Sequence, residues 1–265
     1  MAKTVPNPCQ KTIIACGPIG TKCLPLHPVM GREKVFRFKQ FAVLNDRTAM
    51  KVGTDGVLLG AWCPVTDARR VLDVGTGCGV IALMVAQRNA SAVIDAIDID
   101  HDAVEEARIN FANSPCGDRL AAHECDFNRW NPTVLYDLIV SNPPFFTDSL
   151  LPPDDARSLA RHTQALSYGQ LIEGAARLLS DDGTLALISP TDAEQAIISA
   201  AAFASLPVRQ ITRVIPVENA PAKRILWQLS HRDIPYREAS LTIARHDGTF
   251  TDEYIALTRA FYLKM

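Results

Sequence analysis

From Phe36 onward, apolar and polar positions fall into short alternating blocks. Arg70-Val71-Leu72-Asp73-Val74 is a brief apolar run that reads as a buried strand, and Val80–Gln87, after a glycine-rich turn, reads as a helix. Ala92–Ile97 predicts a second strand running out into Asp98-Ile99-Asp100. Asp102–Asn113 predicts a helix with Ala103, Ala107 and Phe111 on its apolar face. Leu120–Cys125 and Tyr136–Val140 read as third and fourth strands, Tyr168–Leu179 as a helix, and Gly183–Ile188 as a fifth strand. Asp192–Leu206 follows as a helix, and Val208–Val217 with Lys223–Ser230 as a closing hairpin. Strands that alternate with helices predict an α/β fold on a doubly wound parallel sheet.

No linker, low-complexity run or repeat interrupts this pattern, so residues 31–265 read as one domain: 31–66 a cap ahead of a core at 67–265. Residues 1–30 differ in texture, with prolines at 6, 8, 18, 25 and 28 and no acidic residue. They read as a disordered extension, and Met30 is a candidate natural start.

Composition narrows the classes. The chain has 265 residues, 48% hydrophobic and 21% charged, which excludes a largely disordered polypeptide. A net charge of -2 excludes a histone-like protein but not a local basic face. The seven cysteines form no C-x-x-C pair, so no metal is expected, and unpaired thiols suit a reducing cytoplasm. The longest uncharged apolar run, Ala196–Val208, is interrupted by Ser199, Ser205 and Pro207 and falls short of the roughly 20 residues of a membrane span. No heptad repeat or free amphipathic helix calls for an obligate protein partner.

The turn after the first core strand carries the first chemical signal. Gly75-Thr76-Gly77-Cys78-Gly79 joins strand to helix, where glycines let the backbone approach a ligand and the helix start presents free amides. Its spacing is G-x-G-x-G, not the G-x-G-x-x-G of dinucleotide enzymes. With Asp73 two residues ahead, it resembles motif I of class I S-adenosylmethionine-dependent methyltransferases, which makes Asp73, Gly75, Thr76, Gly77 and Gly79 candidate cofactor contacts. Asp98, about 20 residues past the turn, is placed to accept from ribose hydroxyls, with Asp100 in reserve. In that class an acid or amide at the next strand end contacts the adenine ring, and Asp126 matches by position.

The fourth strand runs into Ser141-Asn142-Pro143-Pro144-Phe145-Phe146. This resembles the N-P-P-[YF] motif of methyltransferases that modify a nitrogen conjugated to a planar π-system. Such an amine is a weak nucleophile because its lone pair is delocalised. Two acceptors, the Asn142 side-chain oxygen and the Pro143 carbonyl, would hold its N–H bonds as the methyl arrives. Pro143 and Pro144 fix the chain direction, and Phe145 offers a face on which an extruded base stacks. Asn142 also borders the cofactor. Catalysis of this kind is positioning plus electrostatics, with no metal and no covalent intermediate.

Further residues specify the resemblance. Asp46-Arg47, Met50–Trp62 and Thr258–Leu263, together with both motifs, are similar to bacterial tRNA methyltransferases that convert the adenine beside the valine anticodon to N6-methyladenine. The resemblance runs from about Lys34 to the C-terminus. It implies a Rossmann-like sheet of seven strands with a terminal antiparallel hairpin, S-adenosylmethionine as cofactor and tRNA as substrate. Cys78 stands where the family more often has Ser or Thr, and the first 29 residues fall outside the resemblance.

Charge placement is compatible with RNA. Arg32, Lys34, Arg37, Lys39, Arg47 and Lys51 stand against only Glu33 and Asp46, with Phe36, Phe38 and Phe41 interleaved. The segment reads as an amphipathic strand, Phe36 and Phe38 inward, whose outer face meets phosphates. A second basic cluster, Arg209, Arg213, Lys223, Arg224, Arg232, Arg237 and Arg245, reads equally as a solvated hairpin edge. Residues 147–165 read as a substrate-gating loop, in which Arg161 and His162 are RNA contacts rather than a base. No general base is required, since the N6 proton becomes acidic only after methyl transfer.

Three other readings stay open. A guanine-N2 methyltransferase acting on rRNA shares the same core. A protein glutamine methyltransferase shares the N-P-P motif but carries a helical domain ahead of it, for which the segment before Gly75 is short. A non-catalytic module binding S-adenosylmethionine or RNA is disfavoured by the intact Asn142–Phe145 motif.

Overall fold

Val71, Leu72 and Val74 are all at most 2% exposed, so β3 (Arg70–Val74) is buried on both faces, as a central parallel strand must be. The structure, a computed structural model, describes residues 35–48, 50–143 and 166–265, all within the compact unit Glu33–Met265. Ahead of β3, β1 (Val35–Arg37) and β2 (Ala42–Leu44) form an antiparallel ribbon, and α1 (Thr54–Trp62) follows. After β3 come α2 (Val80–Arg88), β4 (Val93–Asp98), α3 (His101–Ala112), β5 (Leu120–Glu124) and β6 (Tyr136–Ser141). Beyond residue 165 stand α4 (Tyr168–Leu178), β7 (Leu179–Pro190), α5 (Glu194–Phe203), β8 (Val208–Val217), β9 (Arg224–Ser230), β10 (Arg237–Ala244) and α6 (Asp252–Thr258).

The main sheet has the order β10-β8-β9-β7-β6-β3-β4-β5. Strands β5, β4, β3, β6 and β7 are mutually parallel, and β9 enters antiparallel between β7 and β8. This is the class I methyltransferase arrangement with its antiparallel hairpin, carrying one strand more than the seven expected. The addition is β10, parallel to β8. Its sequence gives little warning, since Arg237–Ser240 are exposed and Leu241 alone is fully buried. Ladder hydrogen bonds and packing against α6 hold it there, rather than an apolar run.

Alternate residues on each strand feed two cores. Val71, Leu138, Val140 and Ile188 face α1, α2, α3 and α6, whereas Leu72, Ile139, Leu187 and Trp227 face α4 and α5. Each fully buried aliphatic side chain contributes about 1.5–3 kcal/mol. In the N-terminal ribbon, Phe38 is buried while Arg37 and Lys39 are exposed, the alternation that the sequence predicts. The helix expected over 192–206 is shorter. A 3-10 turn at Thr191–Ala193 starts it, and it ends at Phe203, just before Ser205 takes φ 52°.

Candidate active site

The turn between β3 and α2 is held from three sides. The amides of Gly75 and Thr76 donate to the Ile97 carbonyl at 2.9 and 3.0 Å, tying it to β4. The Gly77 amide donates to Asp98 Oδ2 at 2.9 Å. From beneath, Asp73 Oδ2 accepts the Thr76 hydroxyl at 2.7 Å and the Ala82 amide at 3.2 Å. Gly75 and Gly77 have φ of 70° and 54°, and a Cβ on either would meet nothing within 4 Å. They therefore supply both the left-handed backbone and an open surface. Gly79, at φ 82°, serves packing: a Cβ there would come 2.4 Å from the Phe111 ring.

These residues open onto a cavity of about 1010 Å³ along the C-terminal ends of β3, β4, β5 and β6, the position at which open α/β sheets bind ligands. Gly75, Thr76, Gly77, Asp98 and Asp126 line it, but Asp73 and Gly79 do not. Asp73 is wholly buried behind the turn, where burial pushes its carboxyl up to about 7, and its Oδ1 has no hydrogen-bond partner. Burial also raises the Asp98 carboxyl, against the pull of backbone amides from Asp100 and Gly77. Asp126 Oδ1 accepts the Asn128 amide at 2.9 Å, so it caps the 3-10 turn Phe127–Arg129 as well as lining the cavity.

Across the cavity, β6 ends in Ser141, whose hydroxyl donates to the Val74 carbonyl at 2.9 Å and ties β6 to β3. Asn142 and Pro143 follow in the wall. Asn142 Nδ2 donates to Met50 Sδ at 3.7 Å, while its Oδ1 is buried and without a partner. An unsatisfied buried amide oxygen costs about 1–3 kcal/mol, so this acceptor is held ready for a donor.

The Met50–Gly56 segment forms the rest of this wall and is brought there by α3. Glu106 accepts the amides of Asp46, Arg47 and Thr48 at 2.7, 3.0 and 3.2 Å. Burial raises the Glu106 carboxyl, but the three amides outweigh it and hold it below its usual range. One helical turn on, Asn110 accepts the Leu44 amide at 2.7 Å and donates to the carbonyls of Leu44 and Cys78. At the far end, Arg224 Nε donates to Asp55 Oδ2 at 2.8 Å, and both residues line the cavity.

A family model described as the methyltransferase small domain matches residues 50–209. A Bacteroides fragilis protein named tRNA1(Val) (adenine(37)-N6)-methyltransferase is 48% identical over 239 residues, covering 88% of this chain and 99% of the relative. An Aeromonas hydrophila protein of the same name is 46% identical over 237 residues, covering 89% and 100%. The chain belongs to the tRNA1(Val) (adenine(37)-N6)-methyltransferase family. A solved structure of a predicted O-methyltransferase from Agrobacterium tumefaciens shares the fold, at TM-score 0.63 and 20% identity over 78% of this chain and 96% of that one.

Within this tRNA1(Val) (adenine(37)-N6)-methyltransferase family member, the remaining expected positions divide. Arg32, Lys34, Pro144, Phe145, Arg161 and His162, with the expected gating loop, lie outside the described residues. Arg37 is exposed on the ribbon. Lys39 donates to the carbonyls of Arg259 and Met265, fastening the ribbon to the C-terminus. Lys51 lines the cavity, yet its ammonium donates to the carbonyls of Asp46 and Thr48 at 2.9 and 2.8 Å. Among the described residues no cluster of His, Cys, Asp or Glu could hold a metal ion, and no helix is long and apolar enough to cross a membrane.

Sequence reading missed Glu106, Asn110, Asp55 and Arg224 as parts of this family site. The first two carried a signal: they lie four apart on the face of α3 that bears Ala103, Ala107 and Phe111, so a polar group there is buried and needs a partner. Asp55 and Arg224 are 169 residues apart and carried none.

Proposed function

We propose that this chain transfers the methyl group of S-adenosylmethionine to the N6 amine of adenine 37 in tRNA1(Val). The observation that carries this reading is Asn142 Oδ1, a buried and unpartnered acceptor beside Pro143 in the cavity onto which the glycine turn opens. The names of relatives at 46–48% identity supply the substrate.

The residues of the turn fit S-adenosylmethionine. The faces of Gly75 and Gly77 admit a ligand against the backbone. Asp98 is fixed by two backbone amides through its two oxygens, which leaves lone pairs for ribose hydroxyls. Asp126 borders the same end and is assigned the adenine ring. Asp73 keeps the turn in shape from behind, through the Thr76 hydroxyl and the Ala82 amide. When bound, S-adenosylmethionine supplies a methyl group carried on a sulfonium.

This chain's residues then position the acceptor. Asn142 Oδ1 accepts one N6 hydrogen and the Pro143 carbonyl the other, which favours pyramidal geometry at N6 and takes its lone pair out of conjugation with the ring. Met50, by accepting from Asn142 Nδ2, turns the amide so that its oxygen rather than its nitrogen is left over. Phe145 is assigned as the stacking face for the base, and Pro144 as the residue that fixes its approach. Arg32, Lys34, Arg37, Lys39, Lys51, Arg161 and His162 are assigned to the RNA. The N6 proton passes to water after transfer, so no general base is invoked.

Purified protein incubated with radiolabelled S-adenosylmethionine and total tRNA from a strain lacking the gene tests this. Nucleoside digestion is expected to place the label in N6-methyladenosine of valine tRNA. Label in rRNA or protein alone would replace the substrate, and no label in any pool would remove the enzymatic reading.

A further inference from the structure

We propose that Met50 is a modification site: oxidation of its thioether by a peroxide displaces the Asn142 amide and slows methyl transfer without disturbing the cofactor end. This rests on the reading of Asn142 as the acceptor for the target amine and goes beyond it by placing a reversible chemical switch beside that residue.

Three methionines fall among the described residues, and their surroundings differ. Met84 is wholly buried in α2. Met265 is partly buried, and its sulfur takes the Thr258 hydroxyl at 3.1 Å. Met50 is 44% exposed and lines the cavity with Asn142, so it is the most open of the three to an oxidant in solution.

The step is an oxygen transfer from hydrogen peroxide. A sulfur lone pair attacks one oxygen, the O–O bond breaks as the S–O bond forms, and water leaves. Sulfur is oxidised by two electrons and the peroxide is reduced by two. Methionine sulfoxide reductases reverse the change at the expense of a thiol. The cysteines are less suited to the role. Cys63 and Cys78 are buried, and Cys116 does not line the cavity. Cys125 does line it, but burial and then the Asp126 charge push its thiol up, away from the reactive thiolate.

Oxidation acts on the site through geometry. Asn142 Nδ2 donates to Met50 Sδ at 3.7 Å, already a contact distance, so no further atom fits between them. A sulfoxide oxygen is a stronger acceptor than a thioether sulfur and projects beyond it, so it takes the Nδ2 donor only if the amide or the Met50 chain moves. The turn ahead of Met50 is pinned, by Glu106 on the amides of Asp46, Arg47 and Thr48 and by Lys51 on the carbonyls of Asp46 and Thr48. The amide is therefore what gives way, and the buried Oδ1 on its other arm loses its aim.

Purified enzyme treated with hydrogen peroxide tests this through three readouts. Mass spectrometry of proteolytic peptides locates the added oxygen, methylation of an unmodified valine-tRNA anticodon stem-loop gives kcat, and calorimetry gives S-adenosylhomocysteine affinity. Peroxide is expected to oxidise Met50 ahead of Met84 and Met265. In step with that oxidation kcat should fall about tenfold, while S-adenosylhomocysteine affinity stays within about twofold of its starting value. A methionine sulfoxide reductase with dithiothreitol should restore the rate, and dithiothreitol alone should not. Met50→Gln, whose carbonyl stands in for the sulfoxide oxygen, should show a similar loss without peroxide. Met50→Leu lacks the acceptor, so it should start below wild type and lose nothing further on peroxide treatment. An oxidised Met50 with unchanged kcat, recovery with dithiothreitol alone, or inactivation of Met50→Leu to the same extent as wild type would overturn the inference. A wild-type protein that methylates no RNA before any peroxide is added would overturn the methyltransferase reading itself, and the inference with it.

Discussion

The two ends of the cavity are built by different means. The cofactor end is contiguous in sequence: Asp73 to Ile81 make a strand end, a turn and a helix start, and Asp98 reaches back from the next strand to the Gly77 amide. Its shape follows from three glycines at positive φ and one buried carboxylate. The acceptor end is assembled from Met50, Asp55, Asn142 and Arg224, which lie on three separate stretches of chain. Their meeting depends on polar ties across the fold, Glu106 to the amides of residues 46–48 and Arg224 to Asp55. A local motif carries its own geometry, whereas an assembled wall is only as well defined as the ties that hold it. The two ends should therefore fail separately when mutated.

The largest effect is expected at Asn142. Asn142→Ala removes the buried acceptor and should lower kcat/KM about 100-fold, equivalent to ~2–3 kcal/mol of transition-state stabilisation, while S-adenosylhomocysteine binding stays close to wild type. A parallel collapse of that binding, measured by calorimetry, would show that the two ends are not separable.

Next comes the tie beneath the acceptor wall. Glu106→Ala leaves the amides of Asp46, Arg47 and Thr48 without their carboxylate and should lower stability by about 2 kcal/mol. Urea melts check the loss, and RNA methylation should fall more than S-adenosylhomocysteine affinity. Equal losses at both ends would mean that α3 supports the whole cavity rather than one wall.

The third effect lies at the cofactor end and is read as a dependence on pH rather than as a single loss. With its folded pKa raised from 3.8 to about 7 by burial, Asp73 binds more protons folded than unfolded between those values. Its contribution to stability is therefore fully present below about pH 3.8 and is lost as pH rises through about 7. Asp73→Asn, which keeps an acceptor for Thr76 and Ala82, should gain thermal stability over the ligand-free wild type progressively from pH 5 to pH 8. A melting difference that does not vary with pH would remove the buried ionisation from the account.

Much of the cofactor end was legible because its signals are local. The run Arg70–Val74, the G-x-G-x-G turn and Asp98 each read correctly as to element and position, since strand burial, positive φ and reach from a neighbouring strand are properties of a few adjacent residues. Two roles within it were not legible. Asp73 and Gly79 looked like wall residues and instead sit behind the wall, one bracing the turn and one packing on Phe111. β10 was invisible because its outer half is exposed and charged, and a strand held mainly by ladder bonds leaves little hydrophobic pattern.

By itself the sequence determined the α/β alternation, the glycine turn, the acids that follow it and the Asn142-Pro143 pair, all written in short-range periodicity and motif spacing. Only the tertiary structure decided what Asn142 faces. Met50 takes its amide nitrogen, Gly56 leaves it room, and Arg224 with Asp55 closes the far end. The reason is physical: hydrogen bonds and ion pairs between distant segments depend on where helices and strands pack, and no local spacing encodes that distance.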